Sequence, residues 1–107
     1  MLRGTFTALI TPFRDGHPEQ IDETALRRLV ERQVAAGVAG LVPCGTTGET
    51  PTLSDVEQDR VIALVVAQTG GRVPVIVGTG GNDTAHTVTR TRRARDLGAT
   101  AALVVAP

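Results

Sequence analysis

The sequence predicts an α/β domain built on a parallel sheet, in the order β-α-β-α-β-α-β. Two observations carry this. Four short apolar runs, at residues 6–10, 40–43, 73–77 and 101–105, are continuous rather than alternating, as strands covered by helices on a parallel sheet are. Between them stand three stretches with helical spacing of apolar residues, each closed by glycine. Such crossover helices are what parallel strands need to be joined.

The first run, Phe6-Thr7-Ala8-Leu9-Ile10, leads into Thr11-Pro12, which read by itself is a plain turn. Asp22 is placed to cap the first helix, whose stripe of Leu26, Leu29, Val30 and Val34 recurs at i, i+3, i+4 and i+8 before Gly37 stops it. The second run, at residues 40–43, follows at once. Ser54-Asp55-Val56-Glu57 has the spacing of a capping box and opens a helix through Val61, Ile62 and Val65 that Gly70-Gly71 ends. The third run, at residues 73–77, precedes a helix capped by Asn82 or Asp83, with a thinner stripe of Ala85, Val88 and Leu97 and Gly98 as its stop. Its threonines at 84, 87, 89 and 91 carry low helix propensity. The fourth run begins at Ala101.

A faint internal echo supports one continuous domain over residues 1–107. Ala36-Gly37-Val38-Ala39-Gly40-Leu41-Val42-Pro43 and Leu97-Gly98-Ala99-Thr100-Ala101-Ala102-Leu103-Val104 each leave a helix through glycine into an apolar strand. Wound in one direction, four such strands are the first half of a (β/α)8 barrel; wound both ways they are a small doubly wound sheet. Periodicity does not choose between them. The chain stops at Pro107, where the earlier strands turn into loops, and this reads as a truncation after the fourth strand.

Composition narrows the chemistry. Formal net charge is +0, which points away from nucleic acid and anionic membrane surfaces. No apolar run has transmembrane length, and Met1-Leu2-Arg3-Gly4 enters a strand without a signal-peptide core. A single cysteine, Cys44, rules out an internal disulfide framework and fits the cytoplasm. It reads as a small buried thiol at a strand end, since His17 and His86 are far from it in sequence. His17, between Gly16 and Pro18, reads as an exposed loop residue, and His86 as an exposed residue of a helical first turn. All 11 basic residues are arginine, and tyrosine and tryptophan are absent. The chain therefore has no side chain that can form a lysine Schiff base or serve as a phenolic acid.

The most telling segment is Gly45-Thr46-Thr47-Gly48-Glu49, directly after the apolar Gly40-Leu41-Val42-Pro43-Cys44. Ligands collect at the carboxyl ends of parallel strands, and two hydroxyls flanked by glycines can converge with backbone N–H groups on a small anion such as a carboxylate. Glu49 is a candidate general acid or base, or an acceptor that ties its loop down. Gly78-Thr79-Gly80-Gly81-Asn82-Asp83 also follows a strand and opens a helix, but Asp83 stands where a dinucleotide fingerprint needs glycine. A loop on a site rim suits it better. No cofactor and no metal ligand set is expected.

Taken together, Ala8-Leu9-Ile10-Thr11-Pro12-Phe13, Gly45-Thr46-Thr47-Gly48-Glu49 with Thr52-Leu53, and Val75-Ile76-Val77-Gly78-Thr79-Gly80 with Asn82 resemble the dihydrodipicolinate synthase family of pyruvate-dependent class I aldolases. The likeness runs over essentially the whole chain, with the three blocks in the family's order and spacing. It implies the N-terminal half of a (β/α)8 barrel, and a full-length homo-oligomer, dimer or tetramer, that condenses pyruvate with aspartate 4-semialdehyde in lysine biosynthesis. By the same resemblance, Thr47 and Gly48 would bind the pyruvate carboxylate with Thr46 beside them. Thr46 would act catalytically in a hydroxyl proton relay, with Ala8, Thr11, Gly78, Thr79 and Asn82 on the site rim. The doubled threonine resembles the synthase branch, since sibling aldolases and lyases acting on sialate or keto-deoxy sugars often carry serine or asparagine there. The family's Schiff-base lysine and relay tyrosines have no counterpart in this chain. Its lysine-feedback positions hold Asp55, Gln58 and His86, with Gly80 and Asn82 retained; without the histidine and glutamate typical of inhibited enzymes, feedback control is not expected. Three other readings remain beside the synthase: a sibling aldolase or lyase, a non-catalytic half-barrel that self-associates, and a small phosphate or nucleotide binder.

Overall fold

The structure, a computed structural model, describes residues 4–44, 54–79 and 84–103. Its elements are β1 (Phe6–Ala8), β2 (Phe13–Arg14), β3 (His17–Ile21), α1 (Glu23–Ala35), β4 (Gly40–Val42), α2 (Asp55–Thr69), β5 (Ile76–Gly78), α3 (Thr84–Asp96) and β6 (Ala101–Leu103).

The helices begin and end as their caps dictate. Asp22 accepts the Ala25 N–H at 3.0 Å, and α1 runs from there to a last turn beside Gly37 at φ 84°. Leu26 and Val30 are buried along it, with Leu29 and Val34 packed at the margin of the core. Ser54 and Glu57 form the full capping box of α2, and Gly70 closes that helix in the left-handed conformation a side chain would resist. Val61, Ile62 and Val65 turn inward as the spacing predicts, joined by Leu64.

Four strands are parallel and lie in the order in which the chain visits them. β1 pairs with β4 in the register Phe6↔Gly40, Thr7↔Leu41, Ala8↔Val42. β4 joins β5 through a parallel bridge at Leu41↔Val75, and the Gly78 N–H is donated to Pro43 O at 3.2 Å. β5 pairs with β6 as Ile76↔Ala101, Val77↔Ala102, Gly78↔Leu103. With α1 packed on α2 and α2 on α3, the winding goes in one direction. A doubly wound sheet would reverse its strand order partway; this chain does not, so the barrel half is the fold. Gly40 allows β1 and β4 to meet closely, because a Cβ there would run into the Phe6 ring.

Four expectations need correction. The first three strands are shorter than the apolar runs, and the third is shifted, covering Ile76–Gly78 with Val75 as a bridge; proline at 74 cannot donate to a ladder. The first crossover carries an antiparallel hairpin, β2 with β3, registered Phe13↔Ile21 and Arg14↔His17 around Asp15-Gly16. His17 therefore begins a strand instead of lying in a loop. Finally, the predicted stripe of α3 holds only at Leu97, which packs against the core just past the helix: Val88 is exposed and Ala85 faces solvent, while Arg90 and Ala94 are buried. The cap of α3, at Asn82 or Asp83, lies outside the described residues, as do positions 104 and 105 of the fourth run.

The core sits between the helices and one face of the sheet. Leu9, Leu41, Val75 and Val77 meet Leu26, Val30, Val61, Ile62, Val65 and Ala94 there. Alternation along the strands sends Ala8, Val42, Ile76 and Ala101 to the opposite face.

Candidate functional site

The carboxyl ends of β1, β4 and β5 share one rim because the strands are parallel and adjacent. β4 is held on both sides nearly to its last residue: Leu9 N–H is donated to Val42 O at 3.0 Å, and Gly78 N–H to Pro43 O. Cys44 then takes φ 59° and turns the chain off the sheet. The segment Gly45-Thr46-Thr47-Gly48-Glu49 follows from this central position. Gly45, Thr46, Thr47, Gly48 and Glu49 all lie outside the described residues, as do Gly80 and Asn82.

The described rim residues occupy the ends of the flanking strands. Ala8 is exposed on the open face, and Thr11, after β1, is buried. Gly78 ends β5 and is half-buried. Thr79 follows it, buried, with its hydroxyl 2.8 Å from that of Thr91. Thr91 spends its own proton on Thr87 O at 2.8 Å. Thr79 is accordingly the donor of the pair, since each hydroxyl has one proton. The Thr79 side chain thus ties β5 to α3, and its backbone N–H is donated to Leu103 O at 3.1 Å.

Cys44 is buried, and burial pushes its thiol up to about 11, opposed in part by the positive field of Arg90. It stays a protonated, inert thiol at neutral pH, as its position predicts.

Behind this strand end lies a charged cluster that sequence reading missed. Arg90 is 5% exposed, and its Nη1 donates to Asp59 Oδ1 at 2.7 Å. Arg93 Nε reaches the other Asp59 oxygen at 3.0 Å. Arg90 Nε lies 3.9 Å from Asp55 Oδ1, and His86 Nε2 lies 3.4 Å from the same oxygen. Burial pushes the Asp59 carboxyl up, but the hydrogen bonds from Arg90 and Arg93 outweigh it and hold the group below the ordinary range. The signal was present in the sequence: Asp55 and Asp59 are four apart on α2, and His86 and Arg90 are four apart on α3. Gln58 is half-buried on the same end of α2.

Similarity to known proteins agrees with this arrangement. The model of the dihydrodipicolinate synthetase family matches residues 1–107. The chain belongs to that family. It is 65% identical over 107 residues to a 4-hydroxy-tetrahydrodipicolinate synthase of Thermomicrobium roseum, covering 100% of this chain and 34% of that protein. A synthase of the same name from Rhodospirillum centenum is 57% identical, with 100% and 36% covered. Among solved structures, dihydrodipicolinate synthase from Aquifex aeolicus superposes with a TM-score of 0.91 at 46% identity, covering 97% of this chain and 34% of that one. A chloride-inhibited dihydrodipicolinate synthase from Acinetobacter baumannii, solved in complex with pyruvate, gives 0.94 at 40% identity, covering 100% and 36%. The chain thus spans about a third of the length of the curated relatives it matches.

Proposed function

We propose that this chain is the part of a pyruvate-dependent aldolase that supplies the carboxylate-binding and proton-relay threonines. The reaction of the full-length enzyme is then condensation of pyruvate with aspartate 4-semialdehyde to 4-hydroxy-tetrahydrodipicolinate, within a homo-oligomer. The observation that carries the reading is the sequence Gly45-Thr46-Thr47-Gly48 directly after Cys44, which stands at the carboxyl end of β4 between β1 and β5, in a chain that belongs to this family. Pyruvate bound in the Acinetobacter relative supports the substrate.

On this reading, Thr47 and Gly48 hold the keto acid's carboxylate by donating O–H and N–H bonds. Thr46 accepts one proton while donating another, as a relay member must. The Schiff-base amine has to come from outside these residues, because the chain contains no lysine. Cys44, protonated and buried, takes no covalent part.

The test joins residues 1–107 to the remaining two-thirds of the Thermomicrobium synthase. Pyruvate with borohydride should label the fusion and leave the 107-residue chain unlabelled. Thr46→Val in the fusion should lower kcat by about 10²–10⁴, the usual effect of a positioned proton-transfer group, and Thr47→Val should chiefly raise KM for pyruvate. Wild-type kinetics for both variants, or pyruvate-specific labelling of the chain alone, would overturn the assignment. A fusion that traps pyruvate but turns over a sialate or keto-deoxy sugar instead would select the sibling lyase.

A further inference from the structure

Thr79 stands at the rim without facing the barrel interior. Val77 belongs to the core on the helix side, and side chains alternate along a strand, so Gly78 turns to the inner face and Thr79 back toward the helices. Its burial agrees with this. Thr79 Oγ1 lies 2.8 Å from Thr91 Oγ1, and because Thr91 donates to Thr87 O at 2.8 Å, the one proton of Thr79 is committed to α3. The backbone is held as well. Thr79 N–H is donated to Leu103 O at 3.1 Å, and the neighbouring Gly78 N–H to Pro43 O at 3.2 Å. Thr79 thus joins β5 to β6 and α3, while Gly78 joins β4 one residue before Cys44 turns the chain off the sheet.

We propose that the Thr79 hydroxyl is a positioning group for the aldol reaction and makes no contact with substrate. This rests on the function proposed above and adds a residue to it. Residues 80–83, which include the rim candidates Gly80 and Asn82, run from Thr79 to the start of α3 at Thr84. The bond from Thr79 to Thr91 fixes the two ends of that short connection against each other. A link between pinned ends has few backbone arrangements, whereas one whose first anchor drifts has many. The same anchor keeps Gly78 N–H on Pro43 O, and so holds the exit of β4 that precedes Gly45-Thr46-Thr47-Gly48 in the chain. A misplacement of about 1 Å in an assembled site costs up to about 10²-fold in rate, and a hydroxyl that sets two loop exits is placed to cause one. Turnover should suffer more than binding, because a bound carboxylate follows a small shift of its donors, while a proton relay needs donor and acceptor within hydrogen-bond reach.

The fusion of residues 1–107 with the remaining two-thirds of the Thermomicrobium synthase tests this, with turnover counted per active site trapped by pyruvate and borohydride. Thr79→Val, which keeps the shape and removes the proton, should lower kcat per trapped site about tenfold and leave KM for pyruvate within about twofold. Thr79→Ser returns the donor and should restore kcat to within about twofold of wild type. Thr79→Val combined with Thr91→Val should be no slower than Thr91→Val alone, since two residues acting through one bond are not additive. Thr89→Val, which removes an exposed hydroxyl bonded to Ala85 O on the same helix, should leave kcat unchanged. Wild-type kcat for Thr79→Val, a loss accounted for by fewer trapped sites, a raised pyruvate KM at unchanged kcat, or no rescue by serine would each overturn the inference. If Thr79→Val does not fold, Thr91→Val, which strips the acceptor and keeps Thr79, carries the same expectation and the same refutations. A wild-type fusion that traps no pyruvate would overturn the proposed reaction and this role with it, whereas variants that miss these values in a fusion that traps pyruvate overturn the positioning role alone.

Discussion

Cys44 combines a backbone in the left-handed region, φ 59°, with a thiol sealed from water. A non-glycine residue held there costs roughly 1 kcal/mol, and the strain sits where β4 hands the chain to the threonine segment. The hydrogen bonds from Leu9 to Val42 O and from Gly78 to Pro43 O hold the strand on either side of that turn, so the bend has no room to relax into the sheet. Sequence alone identified the buried thiol but not the strained backbone, because φ at a strand exit follows from tertiary pairing and not from residue type. The thiol gives a direct check. Its rise from 9.0 to about 11 leaves about a hundredth of the ordinary thiolate near pH 8, so the native chain should react with a disulfide reagent at least ~100-fold more slowly than the chain unfolded in denaturant. Equal rates would place Cys44 in solvent.

At the scale of elements, the ion pairs that tie the helices and their exits together divide by burial. Glu31 on α1 is exposed, and the hydrogen bonds it accepts from Arg72 and Gln68 lower its carboxyl from 4.5 to about 2. A group with a depressed folded value stabilises above its unfolded value and loses that contribution as pH falls. Its share should fade between about 4.5 and about 2, so Glu31→Gln should lower stability modestly at pH 7, flatten the acid unfolding curve in that window and match the wild type at pH 2 and below. Arg90 and Asp59 behave differently, because Arg90 is buried. Asp59→Asn should cost about 2–3 kcal/mol in chemical denaturation, below the roughly 3–5 kcal/mol of a fully buried pair because Asp59 is partly solvated. The double variant Asp59→Leu with Arg90→Leu should recover most of the loss, since an apolar pair of similar volume is often neutral or better; a double variant as weak as Asp59→Asn would show the cluster to be worth more than its geometry suggests. This pair also marks where sequence reading of α3 failed. Helical spacing put Val88 inside and left Arg90 unread, because a guanidinium counts as polar until its acidic partners on a neighbouring helix are known. The caps of α1 and α2 were legible because Asp22, Ser54 and Glu57 act within three residues of themselves. The hairpin was missed although Asp15-Gly16 is a strong turn pair; its short, polar strands with Pro18 carry no apolar alternation.

For the whole molecule, strand order mattered more than strand content. The apolar runs gave a parallel sheet either way, and only the pairing of β1 with β4, then β5, then β6 separated a barrel half from a doubly wound sheet. That distinction is long-range and leaves no mark in local periodicity, which is why the family motifs, and not the spacing, pointed to the barrel. What sequence offers for the candidate segment is its place between a predicted strand and a predicted helix, while the bond between the Thr79 and Thr91 hydroxyls depends on how α3 docks. The open face gives the last prediction, in which one substitution has two outcomes set by context. Ile10 is 54% exposed in this chain, so in a dilute monomer Ile10→Ala should change unfolding free energy by no more than about 1 kcal/mol. In a fusion with the missing two-thirds of a relative, the same side chain points into a closed interior, where losing an isoleucine costs about 2–5 kcal/mol. Denaturant midpoints of the two pairs, compared at equal concentration below any association, measure the difference. Equal costs in both contexts would mean that Ile10 does not face the barrel axis, and the assignment of the open sheet face to the barrel interior would fall with it.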